Sequence, residues 1–518
     1  MLLFFAASLA GTASDDFAVG AGSWSGGSVE DGVLRVADGR AEFTGFDPAT
    51  LTSLTVTVRV RSTTTGGWSF DVGEALTASF TARSGLGFGD TRWPLPMSHL
   101  TWVPDADPVY EAFGDGWEAG GVLHAAVVHD EAAAEWRLYY TAFFGPPGYG
   151  YRQIGLATSP DGHTWTRHPE NPILSIDYSG DIDGVHVHMP DVVQKPDGSW
   201  EMIYACYQNN VGNRLCWADS PDGKAWTPRG IAVDRGTTGE FDSGSLRMPA
   251  VWIDDAGLWH LWYDGTDPEQ HYGPTGYATS ADGITWVKAG EILDFAHSLQ
   301  GLDVVETPWG LEALYNRDDY FVRASADPTS PTVWTEAGVV LTKGWSWWND
   351  GYIQAPTLAL DDTTWRMWFN GYTYTDGFER LGHATGVAEP GRWMDVTLAW
   401  DGASLTASVD GAALPAVAAP TLDGLTFVAT GEAELDDVVV TWEVAPVDTG
   451  DPADTGDTDT DGAGGADTAD TGETGDTGNA TDGCGCASGP TTANLVAAAF
   501  AAGVARRRRG FRAGAPAS

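Results

Sequence analysis

"SPDGHTW" (159–165) returns as "SPDGKAW" at 220–226 and as "SADGITW" at 280–286. A motif that recurs at a fixed spacing, here roughly sixty residues, is typical of a repeated structural unit. Asp-Gly favours a tight turn, the Ser and Asp side chains can bond the turn backbone, and Trp can pack between units. We therefore interpret the motif as a structural turn and expect functional residues at the opposite face.

The repeats share one order of strands. An apolar strand carries Pro near its start, as in "HMPDVVQK" (188–195), and a second strand ends in aromatic residues, as in "WHLWYDG" (259–265). A third strand leads into the turn and a fourth follows it, which describes one blade of a β-propeller. A Trp opens each fourth strand, and these residues predict five blades: Trp102, Trp165, Trp226, Trp286 and Trp334. Because Trp102 precedes the first complete repeat, its strand should close the ring against the last blade.

Residues 15–85 and 391–443 flank the predicted propeller (93–387) and alternate like strands, but neither could bury two faces alone. We expect one β-sandwich split by the inserted propeller; the alternative is two unrelated clusters of accessory strands. "WMDV" (393–396), "VDG" (409–411) and "LDDV" (435–438) resemble the closing strands of a concanavalin or laminin-G-like jelly roll. The predicted fold class is all-β: a five-bladed β-propeller plus a discontinuous β-sandwich (jelly roll), with a disordered acidic linker.

The two ends of the chain predict export. Residues 1–14 resemble a secretory signal peptide, a short apolar run ending in small residues; the alternatives are a truncated start or a buried first strand. Residues 446–483 form a low-complexity acidic segment, which we expect to be an extended linker. In 484–518, Cys484 and Cys486 precede a short apolar run and an Arg cluster. This order resembles the C-terminal sorting segments of myxobacterial surface proteins, which implies secretion and retention at the cell surface or outer membrane.

The charge of the chain limits its partners. Among 518 residues, 72 are acidic and 27 basic, a formal net charge of −45 at pH 7, so nucleic acid is a poor partner and cations or neutral polar molecules are favoured. The sequence has no zinc-ligand spacing or nucleotide-binding glycine pattern, so we expect no metal or other cofactor. Asp457, Asp459 and Asp461 copy half of a Ca²⁺ loop, but Thr468 stands in the place of the closing Glu. We expect a monomer.

Cys206 and Cys216 flank "YQNNVGN" (207–213). In a hairpin centred on Val211 they would face one another on neighbouring strands, within reach of a disulfide bond. An exported chain permits this bond. We predict the disulfide; the alternative is a pair of buried free thiols.

Over residues 93–387, the turns, "ENPIL" (170–174) and "FDSGSLRMPAVW" (241–252) resemble the arabinanase, xylosidase and invertase group of five-bladed glycosidases. The resemblance implies a glycoside hydrolase with three acids at the starts of the first three innermost strands, acting as base, pKa modulator and acid. Matched by eye, these positions read Ala125, Met189 and Arg247, so all three acids are replaced.

Other residues near the predicted axis could take over the roles of the three replaced acids. Asp183, Asp242, Asp303 and Asp350 are the candidate catalytic acids, since two carboxyl groups about 5.5–9.5 Å apart can hydrolyse a glycoside; alternatively, they only cap turns. Aromatic rings with a few polar groups suit a sugar. The predicted ligand-binding residues are His124, His186, His188, Arg247, Gln354, Trp345, Trp347, Trp348, Tyr272 and Tyr372. Arg247 suits a carboxylate or a phosphate, whereas the histidines could instead serve as hydrogen-bonded strand residues.

These patterns predict an extracellular carbohydrate-active protein that acts on or binds polysaccharide. Two versions stay open: hydrolysis by relocated acids, and glycan binding by a propeller without catalytic activity. A cell-surface adhesion protein, whose propeller meets another protein, is the alternative class.

Overall fold

The computed structural model describes residues 10–15, 24–25, 28–30, 33–43, 51–62, 67–71, 77–81, 85–88, 91–112, 114, 116–144, 150–177, 182–208, 211–268, 274–293, 299–389, 392–413, 416–418 and 425–444. Their regular structure is β-strand apart from two 3₁₀ turns, Met97–His99 and Gly116–Glu118. The predicted all-β class is confirmed. None of the described residues belongs to a helix long and apolar enough to cross a membrane.

Nine strands precede the repeats and belong to one sheet. They are β1 (Ala10–Asp15), β2 (Trp24–Ser25), β3 (Ser28–Glu30), β4 (Val33–Phe43), β5 (Leu51–Ser62), β6 (Gly67–Asp71), β7 (Thr77–Thr81), β8 (Gly85–Phe88) and β9 (Thr91–Trp93). Strand β10 (Leu100–Pro104) follows and pairs with a strand almost three hundred residues later in the chain, as described below.

The repeats form four-stranded antiparallel units, which we call blades 1 to 5. Blade 1 holds β11 (Gly121–Asp130), β12 (Glu135–Phe144), β13 (Tyr151–Ser159) and β14 (Thr166–Arg167); blade 2 holds β15 (His186–Gln194), β16 (Trp200–Gln208), β17 (Gly212–Ser220) and β18 (Thr227–Val233). Blade 3 holds β19 (Ser245–Ile253), β20 (Trp259–Thr266), β21 (Thr275–Ser280) and β22 (Trp286–Leu293); blade 4 holds β23 (Leu299–Thr307), β24 (Gly310–Arg317), β25 (Tyr320–Ala326) and β26 (Thr335–Thr342). Blade 5 holds β27 (Tyr352–Asp361), β28 (Thr364–Tyr372), β29 (Glu379–Ala388) and, as its fourth strand, β10.

The blades close into a ring. Strands β11, β15, β19, β23 and β27 contact one another in cyclic order, and β27 returns to β11. Strand β10 pairs antiparallel with β29, with Leu100 opposite Ala388, so the strand that comes first in the chain completes the last blade, as the sequence predicted. This arrangement of first strands around an axis is that of a β-propeller.

The repeated turn is held by its own side chains. The Gly162 N–H donates to Ser159 Oγ at 2.9 Å, and the Thr164 N–H donates to Asp161 Oδ1 at 2.7 Å. The bonds from the Thr164 and His163 backbone lower the pKa of Asp161. The Asp of this motif therefore stabilises a turn, as expected.

The same turn locks each blade to the one before it. Trp368 Nε1 of blade 5 donates to Gly162 O at 2.9 Å, and the Tyr139 hydroxyl of blade 1 donates to Gly223 O at 2.7 Å. Trp165 packs edge-on against Trp368, with ring centroids 6.5 Å apart. The apolar core accordingly lies between neighbouring blades, where these aromatic rings meet.

Five strands follow the repeats: β30 (Met394–Trp400), β31 (Ser404–Val409), β32 (Ala412–Ala413), β33 (Val417–Ala418) and β34 (Leu425–Val444). Both β30 and β34 pair antiparallel with β5, with Val396 opposite Val58 and Val440 opposite Val56. The side chains of Val56 and Val58 are fully buried. The two flanking pieces therefore share one sheet, while the jelly-roll sandwich stays a prediction.

The predicted signal peptide overlaps β1, which pairs with β34 so that Ala10 lies opposite Glu443. Cleavage after residue 14 would remove most of this strand. Residues 1–9, the acidic linker, the partial Ca²⁺ loop and the C-terminal segment lie outside the described residues, so export and surface retention stay predictions.

Cys206 and Cys216 form the predicted disulfide bond, with Cα atoms 5.8 Å apart. The predicted register was wrong by two residues, because Cys206 lies opposite Arg214 and Cys216 lies opposite Tyr204. The bond therefore runs diagonally between β16 and β17.

Candidate ligand-binding site

Each innermost strand bulges near its start, where it reaches the axis. The bulged residues have left-handed backbones, with φ of 45° at His124, 54° at Met189, 49° at Met248, 72° at Gly301 and 51° at Ala355. They line an axial cavity of about 30 Å³. Since this space suits little more than one water molecule, a ligand as large as a sugar ring does not fit inside it.

Side chains of the second strands fix the bulges. In four blades a polar side chain opposite the residue before the bulge accepts the backbone N–H of the next blade's bulged residue. The pairs are Met189 N to Thr141 Oγ1 (2.8 Å), Gly301 N to Asp264 Oδ2 (3.2 Å), Ala355 N to Asn316 Oδ1 (3.3 Å) and His124 N to Asn370 Oδ1 (3.4 Å). Asp264 is the one acid among these four acceptors.

The bulges correct the alignment of the expected acids. Arg247 precedes its bulge, Met189 is a bulged residue and Ala125 follows one, so the three positions matched by eye are not equivalent. The extra residue in each strand shifts the alternation of side chains. An alignment that ignores the bulge therefore pairs residues that are not equivalent. At the bulges of blades 1 to 3 the acid is Asp191, where blade 2 returns to register. It lines the axial cavity and accepts the N–H of Val251 at 2.6 Å.

Basic side chains from three blades converge at the start of the inner strands. Arg152 of blade 1 lies opposite His186 of blade 2. Arg152 also acts electrostatically on the predicted residues His124 and His188, and it interacts with Arg247 of blade 3. We call His124, Arg152, His186, His188, Arg247 and the neighbouring Glu379 the axial cluster.

The histidines of this cluster are neutral at physiological pH. Burial first, and then the charges of Arg152 and Arg247, hold the pKa of His124 well below its ordinary value; burial and Arg152 do the same for His188. Burial and Arg152 lower the pKa of His186 to about 4. Within the described residues the buried Nδ1 atoms of His124 and His188 have no hydrogen-bond partner, so each keeps an unused hydrogen-bonding position.

Two carboxyl groups that the sequence analysis missed belong to this site. Burial raises the pKa of Glu379, although hydrogen bonds from the Tyr352 hydroxyl (2.7 Å) and Asn370 Nδ2 (2.7 Å) oppose the shift. Burial also raises the pKa of Asp264 to about 7, opposed by Arg247, which faces it across the ladder. The sequence carried a signal for Asp264, because blade 3 has this acid in "WYDG" at the position where blade 5 has Asn370 in "WFNG".

Aromatic rings border the cluster. Tyr352 stacks on the predicted residue Tyr372, with centroids 4.8 Å apart and planes 9° from parallel, and Tyr374 meets Tyr372 edge-on. Tyr374 is 71% exposed. The predicted residue Gln354 lies opposite Asn370 in the same blade. Flat exposed rings beside polar groups suit the faces of a sugar.

The three predicted tryptophans have different surroundings. Trp348 is fully buried against Phe369 and donates to Ala106 O at 3.1 Å, which is the environment of a core residue. Trp345 packs edge-on against Trp348. Trp347 is 52% exposed and therefore available to a ligand. The remaining predicted aromatic, Tyr272, lies outside the described residues.

The four candidate catalytic aspartates have different surroundings. Lys288 Nζ donates to the buried Asp242 at 2.6 Å and forms an ion pair with it. Asp303 lines the axial cavity and accepts the N–H of Leu358 of the next blade at 2.6 Å. Both carboxylates therefore have structural partners.

The other two aspartates lie in loops. Asp350 is exposed and accepts the N–H of Tyr374 at 3.1 Å. Burial, with a smaller contribution from Asp177, raises the pKa of Asp183, which also interacts with Tyr204. Glu379 interacts with Arg152 and Asp264 with Arg247, whereas the catalytic role of the four aspartates stays a prediction.

No protein-family model matches the chain, and no curated protein matches it. Several solved structures are similar to it at low identity. A β-1,2-mannobiose phosphorylase from Listeria innocua is 11% identical, with a TM-score of 0.45 over 56% of this chain and 97% of its own. A family 117 glycoside hydrolase of Zobellia galactanivorans is 16% identical, with a TM-score of 0.43 over 56% and 92%. A glycosyl hydrolase from Bacteroides ovatus is 18% identical, with a TM-score of 0.39 over 58% and 92%.

Proposed function

We propose that this is a carbohydrate-active protein that binds an anionic glycan at the axial cluster, a uronic acid being the simplest ligand. The observation that carries the proposal is the convergence of Arg152 and Arg247, from different blades, beside three neutral histidines. Guanidinium groups bind carboxylates through paired charged hydrogen bonds. The stacked pair Tyr352 and Tyr372 offers a flat surface for the sugar ring.

The negative charge of the whole chain limits which contacts can produce this binding. A chain with a formal net charge of −45 repels an acidic polymer at long range. Any affinity for such a polymer must therefore come from local cations. Neutral glycans avoid this repulsion but offer the two arginines no carboxylate for a charged, paired hydrogen bond.

A second candidate, hydrolysis of the bound glycan, is favoured by the raised pKa of two carboxyl groups. A general acid must hold its proton near neutral pH, and burial raises the pKa of both Glu379 and Asp264. In this version Glu379, beside Arg152, protonates the leaving oxygen. Secretion and retention at the cell surface, proposed from the two ends of the chain, would expose the site to environmental polysaccharide.

The test is a panel of neutral and acidic polysaccharides, scored for retention of the protein and for release of reducing ends. Arg247→Gln and Arg152→Gln should each weaken binding to acidic glycans about 10- to 100-fold, because each removes charged hydrogen bonds. Arg229→Gln is the matched control, since Arg229 lies exposed on the fourth strand of blade 2 and pairs with Asp219. It should bind like the unmodified protein.

The outcomes separate the two candidates. Release that is lost in Glu379→Gln while binding persists would establish hydrolysis with Glu379 as the acid. Binding without release would establish a lectin. Equal retention by neutral and acidic glycans, unchanged in both arginine variants, would overturn the proposal and favour a protein partner.

A further inference from the structure

Away from the axis, three metal-ligating side chains meet where the ring closes. Asp105 directly follows β10, His383 belongs to β29 of blade 5, and His163 belongs to the first repeated turn of blade 1. The Asp105 N–H donates to His383 O at 2.9 Å, so the backbone fixes these two residues side by side. The cluster thus joins the closing strand, its partner strand and the neighbouring blade.

Both imidazole rings point a nitrogen at the same oxygen. His383 Nδ1 lies 2.8 Å and His163 Nε2 lies 3.0 Å from Asp105 Oδ2. Neighbouring ligands of an octahedral metal with bonds of about 2.1 Å lie about 3.0 Å apart. Two edges of the cluster therefore have the spacing of neighbouring metal ligands, and all three donor atoms lie within 4.8 Å of one another.

The surroundings of the cluster fit a metal site with open positions. The side chain of His383 is 5% exposed, whereas those of His163 and Asp105 are 53% and 33% exposed. Among the described residues the buried His383 ring has its one hydrogen bond in this cluster, since its Nε2 is without a partner. The His383 side of the cluster is thus fixed and buried, and the side of His163 and Asp105 is open to ions and water.

We propose that Asp105, His163 and His383 bind a first-row divalent transition ion such as Zn²⁺, which clamps blade 5 to blade 1. Two imidazoles and one carboxylate prefer such ions to Mg²⁺ or Ca²⁺. The ion replaces the two N–H···O bonds with bonds to three elements that are far apart in the chain. It therefore opposes opening of the ring at the point where the first and last blades meet, which a metal-free protein holds with hydrogen bonds and packing alone.

The test compares thermal unfolding of the chelator-treated full-length protein with and without added Zn²⁺. His163→Lys removes one ligand but keeps a native turn, because blade 2 has Lys224 at the same position of its motif. His168→Lys, the same change at another histidine of blade 1, is the control. Zn²⁺ should raise the melting temperature of the unmodified protein and of His168→Lys by a few degrees, and His163→Lys should lose this rise.

Calorimetric titration with Zn²⁺ supplies the second readout. Cys484, Cys486 and the acidic segment can also take up zinc, so the difference between the variants decides. The unmodified protein should bind one ion more than His163→Lys. Equal binding and equal thermal shifts in all three proteins, or no shift in the unmodified protein, would overturn the site. A shift with Ca²⁺ as large as that with Zn²⁺ would overturn the choice of ion.

Discussion

At the residue scale, Asp264 shows how one acid changes the electrostatics of a structural position. Asn316 of blade 4 and Asn370 of blade 5 occupy the equivalent position, and each accepts the N–H of the bulged residue in the next blade. Asp264 makes this bond for Gly301, but it also faces Arg247 across the ladder. Its protonation therefore sets how much of the positive charge of Arg247 remains for a ligand.

The first prediction is a pH dependence. Because the pKa of Asp264 is about 7, its carboxylate offsets Arg247 at pH 8 and is protonated at pH 6. Affinity for an acidic oligosaccharide should rise about three- to tenfold from pH 8 to pH 6. In Asp264→Asn, a residue that the chain itself uses at this position, affinity should be high and constant. Titrations at pH 6, 7 and 8 measure both.

The same group has a stability signature of defined sign. Its pKa is raised from 3.8 to about 7 in the fold, so the stability contributed by its proton is complete below about pH 4 and is lost as the pH rises through 7. Asp264→Asn should flatten this part of the melting-temperature profile. If the glycan affinity of Asp264→Asn still rose toward pH 6, a group other than Asp264 would be responsible for the pH dependence of binding.

Single residues were predictable only where a motif placed them. Arg247 and His188 were identified because they precede the Met-Pro of recognisable inner strands, His186 lies at the start of the same strand as His188, and His124 lies in the inner strand of blade 1. Arg152 and Glu379 lie at the starts of third strands, β13 and β29, where no repeated motif marks the axis. Arg152 reaches the site because β13 lies beside β15, and Glu379 reaches it because blade 5 closes the ring against blade 1.

At the scale of elements, the repeated turn is the part that the sequence predicted best, since its Ser, Asp and Gly act on neighbours within a few residues. Its glycine also has a tertiary role. Gly223 has φ of 70°, and a Cβ there would lie 2.2 Å from Arg137 Nη1 of the previous blade. We predict that Gly223→Ala lowers the free energy of unfolding by about 2–4 kcal/mol, from backbone strain plus the clash.

Gly198→Ala is the matched control for this prediction. Gly198 has φ of 86° but no atom within 4 Å of a Cβ position, so its alanine variant carries only the backbone cost of about 1 kcal/mol. Denaturant unfolding of the two variants, compared with the unmodified protein, isolates the contribution of the blade contact. Equal losses in both would mean that the turn does not lock the blades.

The bulges of the inner strands were the elements that sequence reasoning missed. A bulge adds one residue to a strand and has no fixed composition: the five bulged residues are His124, Met189, Met248, Gly301 and Ala355. Four of them are not glycine although all have positive φ. In four of the five, the conformation is supported by a hydrogen bond to the neighbouring blade, a tertiary cause that local sequence does not carry.

At the scale of the whole molecule, the order of strands was predictable from the count of repeats. A missing fourth strand in the last blade and a spare one before the first left one way to close the ring, and β10 pairs with β29 accordingly. The pairing of β5 with β30 and β34 likewise joins residues on both sides of the propeller. Function was harder to predict, because it depends on which side chains the closed ring brings together.

The central claim is that a strongly acidic protein holds a local cationic site for an anionic sugar. The most direct measurement is calorimetric titration of an oligogalacturonate and of its carboxyl-reduced, neutral counterpart into the protein and into Arg247→Gln. The account predicts that the acidic ligand binds at least about tenfold more tightly than the neutral one, and that this preference disappears in the variant. Equal affinities for the two ligands, or a preference that survives in Arg247→Gln, would contradict it.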